Sequence, residues 1–264
     1  LNSTVWSCRR KTTGESAQSV NKSRVVVVKV LCRDRAEVER NWRKTAKELT
    51  LEEYTEEVSA YEAKIMESLN HKHIVRFIDC HDGGTTSNML IMNICMEKLD
   101  CDLKSFVEDN SGTITKTEFA KMAQQICLAL QYLHKQKLIH GDLKPQNILV
   151  DKSNNNMLKL GDFGSTVELG SEERYVSADN FGGTPFFVAP ELLKDEAKCG
   201  RAVDFWGVGC VLAFMAITHN PFQFSAGRLI MDHEILANYR ESEARSDDRP
   251  RIIQILGILA TLGW

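Results

Sequence analysis

A run of polar and charged residues at 140–147 contains the side chains in this sequence that are best suited to chemistry. Asp142 is a carboxylate that can accept a proton from a hydroxyl group, and Lys144 is a cation that can neutralise charge on an anion. Asn147 and Asp162, fifteen residues apart, supply the hard oxygen ligands that Mg²⁺ prefers. An acid in a loop is usually a cap or turn residue, so the functional interpretation depends on all four residues together.

The four residues belong to a longer, ordered set of motifs, which also includes Lys29 at the end of a run of four valines. The other members are His140-Gly141-Asp142-Leu143-Lys144-Pro145-Gln146-Asn147, Asp162-Phe163-Gly164 and Ala189-Pro190-Glu191. The set resembles that of the eukaryotic protein kinase family, serine/threonine type, from about Val5 to at least Phe222. Asp-Phe-Gly alone is weak evidence, but the motifs in this order are specific.

The resemblance implies an ATP-dependent enzyme that transfers the γ-phosphate to Ser or Thr hydroxyls of protein substrates, with bound Mg²⁺. Asp142 matches the catalytic carboxylate that orients the substrate hydroxyl, and Lys144 matches the lysine beside the transferring phosphoryl group. Asn147 and Asp162 match the metal ligands. Thr184 lies in a segment similar to the substrate-docking loop, which implies hydrogen bonds to Asp142 and Lys144.

The resemblance also implies residues that bind the phosphates of ATP. Lys29 matches the lysine that reaches the α and β phosphates. Glu62, eight residues before Asn70, has the family's spacing for the carboxylate that holds this lysine in place. Glu56 and Glu57 are the nearest competing carboxylates and rank well below Glu62.

The segment from Met96 to Leu103 resembles the hinge that holds the nucleotide base. It implies that Met96 is the gatekeeper, with Cys95 as the alternative, and that backbone groups of Glu97 and Leu99 bond to adenine. The other residues implied to contact the nucleotide are Asp102, at the ribose, and Val5, Val27 and Leu149, around the adenine ring.

The fold implied by the resemblance is α+β and bilobal. Residues 1–97 are expected to form a small antiparallel β-sheet lobe with one main helix. Residues 98–264 are expected to form a larger, mainly helical lobe, whose C-terminal end looks short. Together the two lobes would make one kinase domain.

Residue patterns predict the individual elements. The valines favour a strand over Arg24–Leu31, and the absence of Gly and Pro over 37–69 favours a helix in at least the second half of that stretch. Two more strands are predicted over Ile74–Ile78 and Met89–Met96, separated by a turn at Asp82-Gly83-Gly84. Further helices are predicted over Leu103–Asp109, Thr117–Lys135 and Ala202–Thr218.

Three departures from the family pattern bear on activity. Ser3-Thr4-Val5 fills only the last part of the Gly-rich phosphate loop. Gly141 replaces the arginine that in this family normally binds a phosphorylated activation segment, and Asn180 occupies the usual phosphorylation position. We therefore expect activity without phosphorylation at that position, with Ser171, Tyr175 and Ser177 as alternative modification sites.

The stretch from Asp34 to Tyr54 is an insertion, either a solvated helical extension or a docking surface for a regulatory partner.

The leading interpretation is an active kinase, and its main rival is a pseudokinase or scaffold module that binds nucleotide weakly. The interpretation as an active kinase is favoured because the sequence retains Lys29, Glu62, Asp142, Asn147 and Asp162. The incomplete phosphate loop favours the rival. A small-molecule phosphotransferase is disfavoured, because the segments at 183–185 and 189–191 are typical of a peptide-docking loop.

Composition sets broader limits. The 264 residues are 43% hydrophobic and 26% charged, which suits a chain that buries a core. A net charge of −3 argues against nucleic-acid binding through a strongly basic surface. The longest apolar run, Phe205–Ile217, is shorter than the roughly 20 residues needed to cross a bilayer. Eight scattered cysteines indicate reduced thiols, so we expect a cytoplasmic or nuclear protein.

Overall fold

The computed structural model describes residues 2–9, 25–45, 49–86, 88–170, 175–178, 181, 184, 187–193 and 198–218. The chain divides into two compact units, Leu1–Leu99 and Asp100–Trp264, whereas the sequence predicts the division two residues earlier, after Glu97. Some predictions concern residues outside the described ranges. These are Arg24 at the start of the valine strand, Ser171, Asn180, the residues on either side of Thr184, and the chain beyond Thr218.

A four-stranded antiparallel sheet, in the order β1-β2-β4-β3, forms the frame of the first unit. Its strands are β1 (Asn2–Arg9), β2 (Val25–Asp34), β3 (Phe77–Thr85) and β4 (Met89–Glu97). Strand β2 contains the four valines, whose branched side chains suit a pleated and partly buried surface. Lys29 in β2 lies opposite Val5 in β1 and Ile94 in β4, so a charged side chain occupies the middle of the sheet.

The hairpin formed by β3 and β4 corrects the predicted turn. Strand β3 begins at Phe77 rather than Ile74 and continues through Asp82-Gly83-Gly84 to Thr85. The register shifts between Asp82 and Gly84, and Gly84 has a φ of +86°, so the glycine forms a β-bulge instead of ending the strand. The predicted turn is therefore wrong, and the chain reverses in the residues between Thr85 and Met89.

The described part of the first unit contains two helices, whereas the sequence predicts one main helix. Helix α1 spans Arg35–Thr45 and helix α2 spans Leu51–Ser68. Helix α2 begins at its own cap, because the Thr50 side chain accepts from the backbone N–H of Glu53 and the Glu53 carboxylate accepts from the backbone N–H of Thr50. A reciprocal cap of this kind starts a new helix without any glycine or proline before it.

The described part of the second unit contains three α-helices and several short strands. The helices are α3 (Leu103–Asp109), α4 (Lys116–Lys135) and α5 (Ala202–Ile217). The predicted bounds of α3 agree with the structure, and those of α4 and α5 differ by one residue. Helix α5 is apolar around most of its circumference and forms the centre of the core, with Val211, Leu212 and Ala216 fully buried. No helix within the described ranges is long and apolar enough to cross a membrane.

Short strand pairs bracket the polar run at 140–147. The strands are β5 (Cys101–Asp102), β6 (Leu138–Ile139), β7 (Ile148–Asp151), β8 (Met157–Leu160), β9 (Val167–Glu168), β10 (Val176–Ser177) and β11 (Lys198–Cys199). Strand β7 pairs with both β5 and β8, β6 pairs with β9, and β10 pairs with β11. The polar run therefore starts directly after β6 and ends directly before β7, so both of its ends are fixed by sheet hydrogen bonds.

Replacing Thr50 tests whether its cap starts α2. We expect Thr50→Ala to lower the free energy of unfolding by about 1 kcal/mol, because the first turn of α2 loses an acceptor for a backbone N–H. Urea denaturation measures this change. Thr50→Asp, which keeps an acceptor at the same place, is the control and should remain within a few tenths of a kcal/mol of the wild type. An equal loss in both variants would contradict the cap.

Candidate active site

In the first unit, a buried ion pair joins the central strand to helix α2. The ammonium Nζ of Lys29 donates to Oε1 of Glu62 at 2.8 Å, across 33 residues of sequence. Both side chains are buried, with 11% of the lysine and 3% of the glutamate side chain exposed. The sequence-predicted partners are therefore brought together, and their burial means that the pair fixes the lysine head group.

A second cation lies near the same carboxylate. Arg33 is four residues after Lys29 on β2, so both side chains leave the same face of the strand. Burial lowers the pKa of Arg33, and the negative charges of Glu62 and Glu37 partly offset that effect. Since an arginine remains protonated in proteins, Glu62 lies in the field of two positive charges.

The predicted adenine contacts of the first unit share one face of the sheet with Lys29. Val27 lies opposite Met96, and Val5 lies opposite Lys29. Residues that are directly opposite across antiparallel strands, or two apart along one strand, have side chains on the same face. Cys95 lies opposite Val28 and therefore faces the other side. This register favours Met96 over Cys95 as the gatekeeper.

The backbone of Glu97 is already partly used within the first unit. Its N–H donates to the carbonyl of Arg76 at 3.0 Å, and its carboxylate accepts from the N–H of Arg76 at 2.8 Å. The N–H of Glu97 is thus already used within the first unit. Leu99 is half-buried at the last position of this unit.

The two predicted nucleotide contacts of the second unit are neighbours. Asp102 in β5 lies directly opposite Leu149 in β7. The Asp102 carboxylate also caps α3, because it accepts from the backbone N–H of Ser105 at 2.8 Å. A role at the ribose would therefore share this side chain with the helix cap.

A buried aspartate in the first turn of α5 holds the start of the polar run. Oδ2 of Asp204 accepts from the backbone N–H of His140 at 2.9 Å, and Oδ1 accepts from that of Gly141 at 2.9 Å. The Nε2 atom of His134, in the last turn of α4, lies 2.8 Å from Oδ2. Asp204 is 1% exposed. One carboxylate thus connects α4, α5 and the loop.

Asp142 stands at the centre of a network of side chains. Its Oδ2 accepts from Nζ of Lys144 at 2.6 Å and from Nδ2 of Asn147 at 3.0 Å. Its Oδ1 accepts from the hydroxyl of Thr184 at 2.7 Å, and that hydroxyl accepts from Lys144 at 2.6 Å. The structure therefore brings together all three predicted catalytic residues, with Asn147 as a fourth member.

The predicted metal ligands lie at the two ends of the β7–β8 hairpin. Asn147 immediately precedes β7 and Asp162 follows β8, and Ile148 pairs with Leu160. The N–H of Gly161 donates to the carbonyl of Asn147 at 2.8 Å, which draws the two ends together. Asp162 has a φ of +61° and an exposed side chain.

The donor set of these two residues fits Mg²⁺ bound together with phosphates. Among the residues that the structure describes, no group of three or more His, Cys, Asp or Glu side chains is arranged to hold a metal ion. Mg²⁺ does not need such a cage, because it keeps several waters and binds through one or two carboxylates plus phosphate oxygens. The amide nitrogen of Asn147 is used by Asp142, which leaves its oxygen as the ligand atom.

His134 and Phe181 belong to the site but are not predicted from the sequence. His134 bonds to Asp204, and Phe181 packs beside the polar run at Gly141. A histidine in the last turn of a helix is common, since its charge suits the helix C-terminus, so the sequence offers no sign of a buried partner 70 residues away. Phe181 looks like any apolar residue in a loop.

Comparisons with known proteins agree with this geometry. The model of a family described as "Protein kinase domain" matches residues 16–255. A probable serine/threonine-protein kinase PLK from Dictyostelium discoideum is 30% identical in a match that covers 74% of this chain and 21% of that protein.

Two further relatives match over shorter lengths. A probable serine/threonine-protein kinase MRK1 homolog from Encephalitozoon cuniculi is 33% identical over 58% of this chain and 46% of its own length. Cyclin-dependent kinase 7 from Xenopus laevis is 33% identical over 58% of this chain and 41% of its own length. The chain thus spans less than half of each of these three relatives.

A double-mutant cycle tests the Lys29–Glu62 pair. We expect Lys29→Met and Glu62→Leu each to lower the free energy of unfolding by about 3–5 kcal/mol, because each removes one charge of a buried pair. The double variant should lose clearly less than the sum, since it leaves neither of the two charges behind. Urea denaturation of all four proteins gives the coupling energy. Strictly additive losses would mean that the two charges do not interact.

Proposed function

Because the chain belongs to the protein kinase domain family, we propose that it is an active serine/threonine protein kinase. It would transfer the γ-phosphate of ATP to Ser or Thr hydroxyls of protein substrates. The observation that carries the proposal is the network in which Asp142 accepts from Lys144, Asn147 and Thr184. These contacts hold one carboxylate and one ammonium in a fixed relation, which phosphoryl transfer requires because its catalysis depends on positioning and charge.

In the proposed reaction, Asp142 accepts a hydrogen bond from the substrate hydroxyl and aligns its oxygen with the γ-phosphorus. The oxygen attacks the phosphorus, its proton passes to Asp142, and the bond from phosphorus to the bridging oxygen of ADP breaks. Lys144, 2.6 Å from Asp142, neutralises negative charge on the phosphoryl group as it moves. Thr184 forms a hydrogen bond with each of these two side chains and so fixes their positions relative to each other.

The remaining site residues are proposed to bind the nucleotide and its metal. Lys29, fixed by Glu62, would contact the α and β phosphates, and the hinge residues would bond to the base. Asn147 and Asp162 would hold Mg²⁺, which supplies charge neutralisation for the phosphates when it is bound. The other assigned contacts are Val5, Val27, Met96, Glu97, Leu99, Asp102 and Leu149.

We further propose that the segment at 34–54 binds a regulatory partner. It forms α1, in which Val38 is buried, whereas Arg40 and Arg43 are exposed. Its end is held because Nε1 of Trp42 donates to the carbonyl of Leu49 at 2.8 Å. A cationic, ordered helix suits an acidic partner surface.

The proposed compartment is the cytoplasm or the nucleus, and nucleic acid is not among the proposed partners. None of the eight cysteines, all of which lie within the described ranges, forms a disulfide, and this is typical of proteins in reducing compartments. The net charge of −3 supports a protein substrate rather than a polyanion.

Phosphate transfer by wild type and Asp142→Asn tests the proposal. We expect radiolabel from ATP–Mg²⁺ to appear on dephosphorylated casein with the wild type and to fall at least a hundredfold with Asp142→Asn, since the amide accepts a proton poorly. Asp109→Asn, at the exposed end of α3, is the matched control and should keep full activity. Equal labelling by wild type and Asp142→Asn would overturn the proposal and favour a scaffold protein.

A further inference from the structure

The polar run contains a position where no side chain fits. Gly141 has a φ of +78°, a conformation that residues with a Cβ rarely adopt. A Cβ built on Gly141 would lie 2.6 Å from the backbone oxygen of Ser165 and 3.2 Å from Cδ1 of Phe181. The first distance is shorter than any real carbon–oxygen contact of this kind, and backbone atoms cannot swing aside as the end of a side chain can.

Hydrogen bonds to Asp204 fix the backbone conformation around Gly141. Its N–H donates to Oδ1 of the buried Asp204, and the N–H of the preceding residue, His140, donates to Oδ2 of the same carboxylate. Two successive backbone N–H groups are therefore turned towards one acid in the first turn of α5. The loop cannot rotate Gly141 into a more common conformation without leaving a buried carboxylate short of donors.

The described residues of the segment before Thr184 are attached to the second unit by apolar contacts. Val176, Ala178 and Phe181 are partly buried and pack against a buried cluster that includes Ile139 and Val203. The backbone N–H of Phe181 donates to the carbonyl of Ala178 at 3.0 Å, and Val176 pairs with Cys199 across β10 and β11. Phe181 is thus fixed by its own turn and by the cluster, three residues before Thr184.

We propose that Phe181 is a positioning residue for Thr184, and that it acts by packing its ring over the bare backbone of Gly141. The ring lies against Gly141, since its Cδ1 atom would be only 3.2 Å from a Cβ at this position. The segment is thereby held in the arrangement in which Thr184 donates to Asp142 and accepts from Lys144. Packing of a ring on a glycine requires no charge on either partner.

This inference rests on the proposed kinase activity for its kinetic consequences, but the packing itself can be measured without activity.

Kinetics of Phe181 variants test the proposal. With dephosphorylated casein and saturating ATP–Mg²⁺, we expect Phe181→Ala to raise the KM for casein at least fivefold and to leave the KM for ATP within twofold. Phe181→Leu, which restores an apolar contact, should bring the KM for casein back to within twofold of the wild type.

Tyr175→Ala is the matched control, since Tyr175 is an aromatic residue of the same segment but is 61% exposed. It should keep wild-type kinetics. A wild-type KM for casein in Phe181→Ala, or an equal change in Tyr175→Ala, would overturn the proposal. A fall in kcat alone, with both KM values constant, would indicate a general loss of folded protein and would also count against it.

Hydrogen exchange separates this inference from the kinase assignment. If the wild type transfers no phosphate, the proposed function fails, and amide exchange over 175–193 still tests the packing. Faster exchange in Phe181→Ala than in the wild type and Tyr175→Ala would support the contact. Equal exchange in all three proteins would overturn it.

Discussion

The loop that carries Asp142 depends on one buried carboxylate, that of Asp204. It lies in the first turn of α5, where the helix dipole favours a negative charge, and it accepts hydrogen bonds from the backbone of His140 and Gly141. It also lies 2.8 Å from the ring of His134. Because all three partners are buried or half-buried, losing any of them would leave a costly orphan group. The loop that carries Asp142 is thus fixed to the apolar core.

The network around Asp142 is a consequence of this attachment. The His140 ring, held beneath the loop, lies 3.0 Å from the carbonyl of Gly161 through Nε2. Gly161 in turn donates to the carbonyl of Asn147. The start of the loop, its end and the residue before Asp162 are therefore linked by direct hydrogen bonds. This continuity gives residues with ordinary side chains the fixed positions that the proposed phosphoryl transfer requires.

Local patterns predict much of the fold, but they fail at positions where contacts between residues distant in sequence determine the backbone structure. The valine run and the bounds of α3 follow from branched residues and apolar spacing. The helix predicted in at least the second half of 37–69 is present as α2, and a local contact, the reciprocal cap of Thr50 and Glu53, sets its start. Glycine near Gly84 signals a turn, yet its backbone forms a bulge within β3 because β4 continues to pair with it.

The site residues were recognisable from motif order rather than from spacing alone. Lys29 and Glu62 are 33 residues apart, and no local rule pairs them without the family pattern. The contact of Phe181 with Gly141 is invisible in the sequence, since it depends on a positive φ and on the position of the Ser165 carbonyl. Physical features of this kind appear only when the chain is folded.

The most direct test of this account is the kcat of Asp204→Asn in phosphate transfer to casein. The amide has one acceptor oxygen in place of two, so it cannot serve His140, Gly141 and His134 together. We predict a kcat at least tenfold below that of the wild type, with an unchanged helical content by circular dichroism. A wild-type kcat in this variant would contradict the claim that Asp204 holds the catalytic loop.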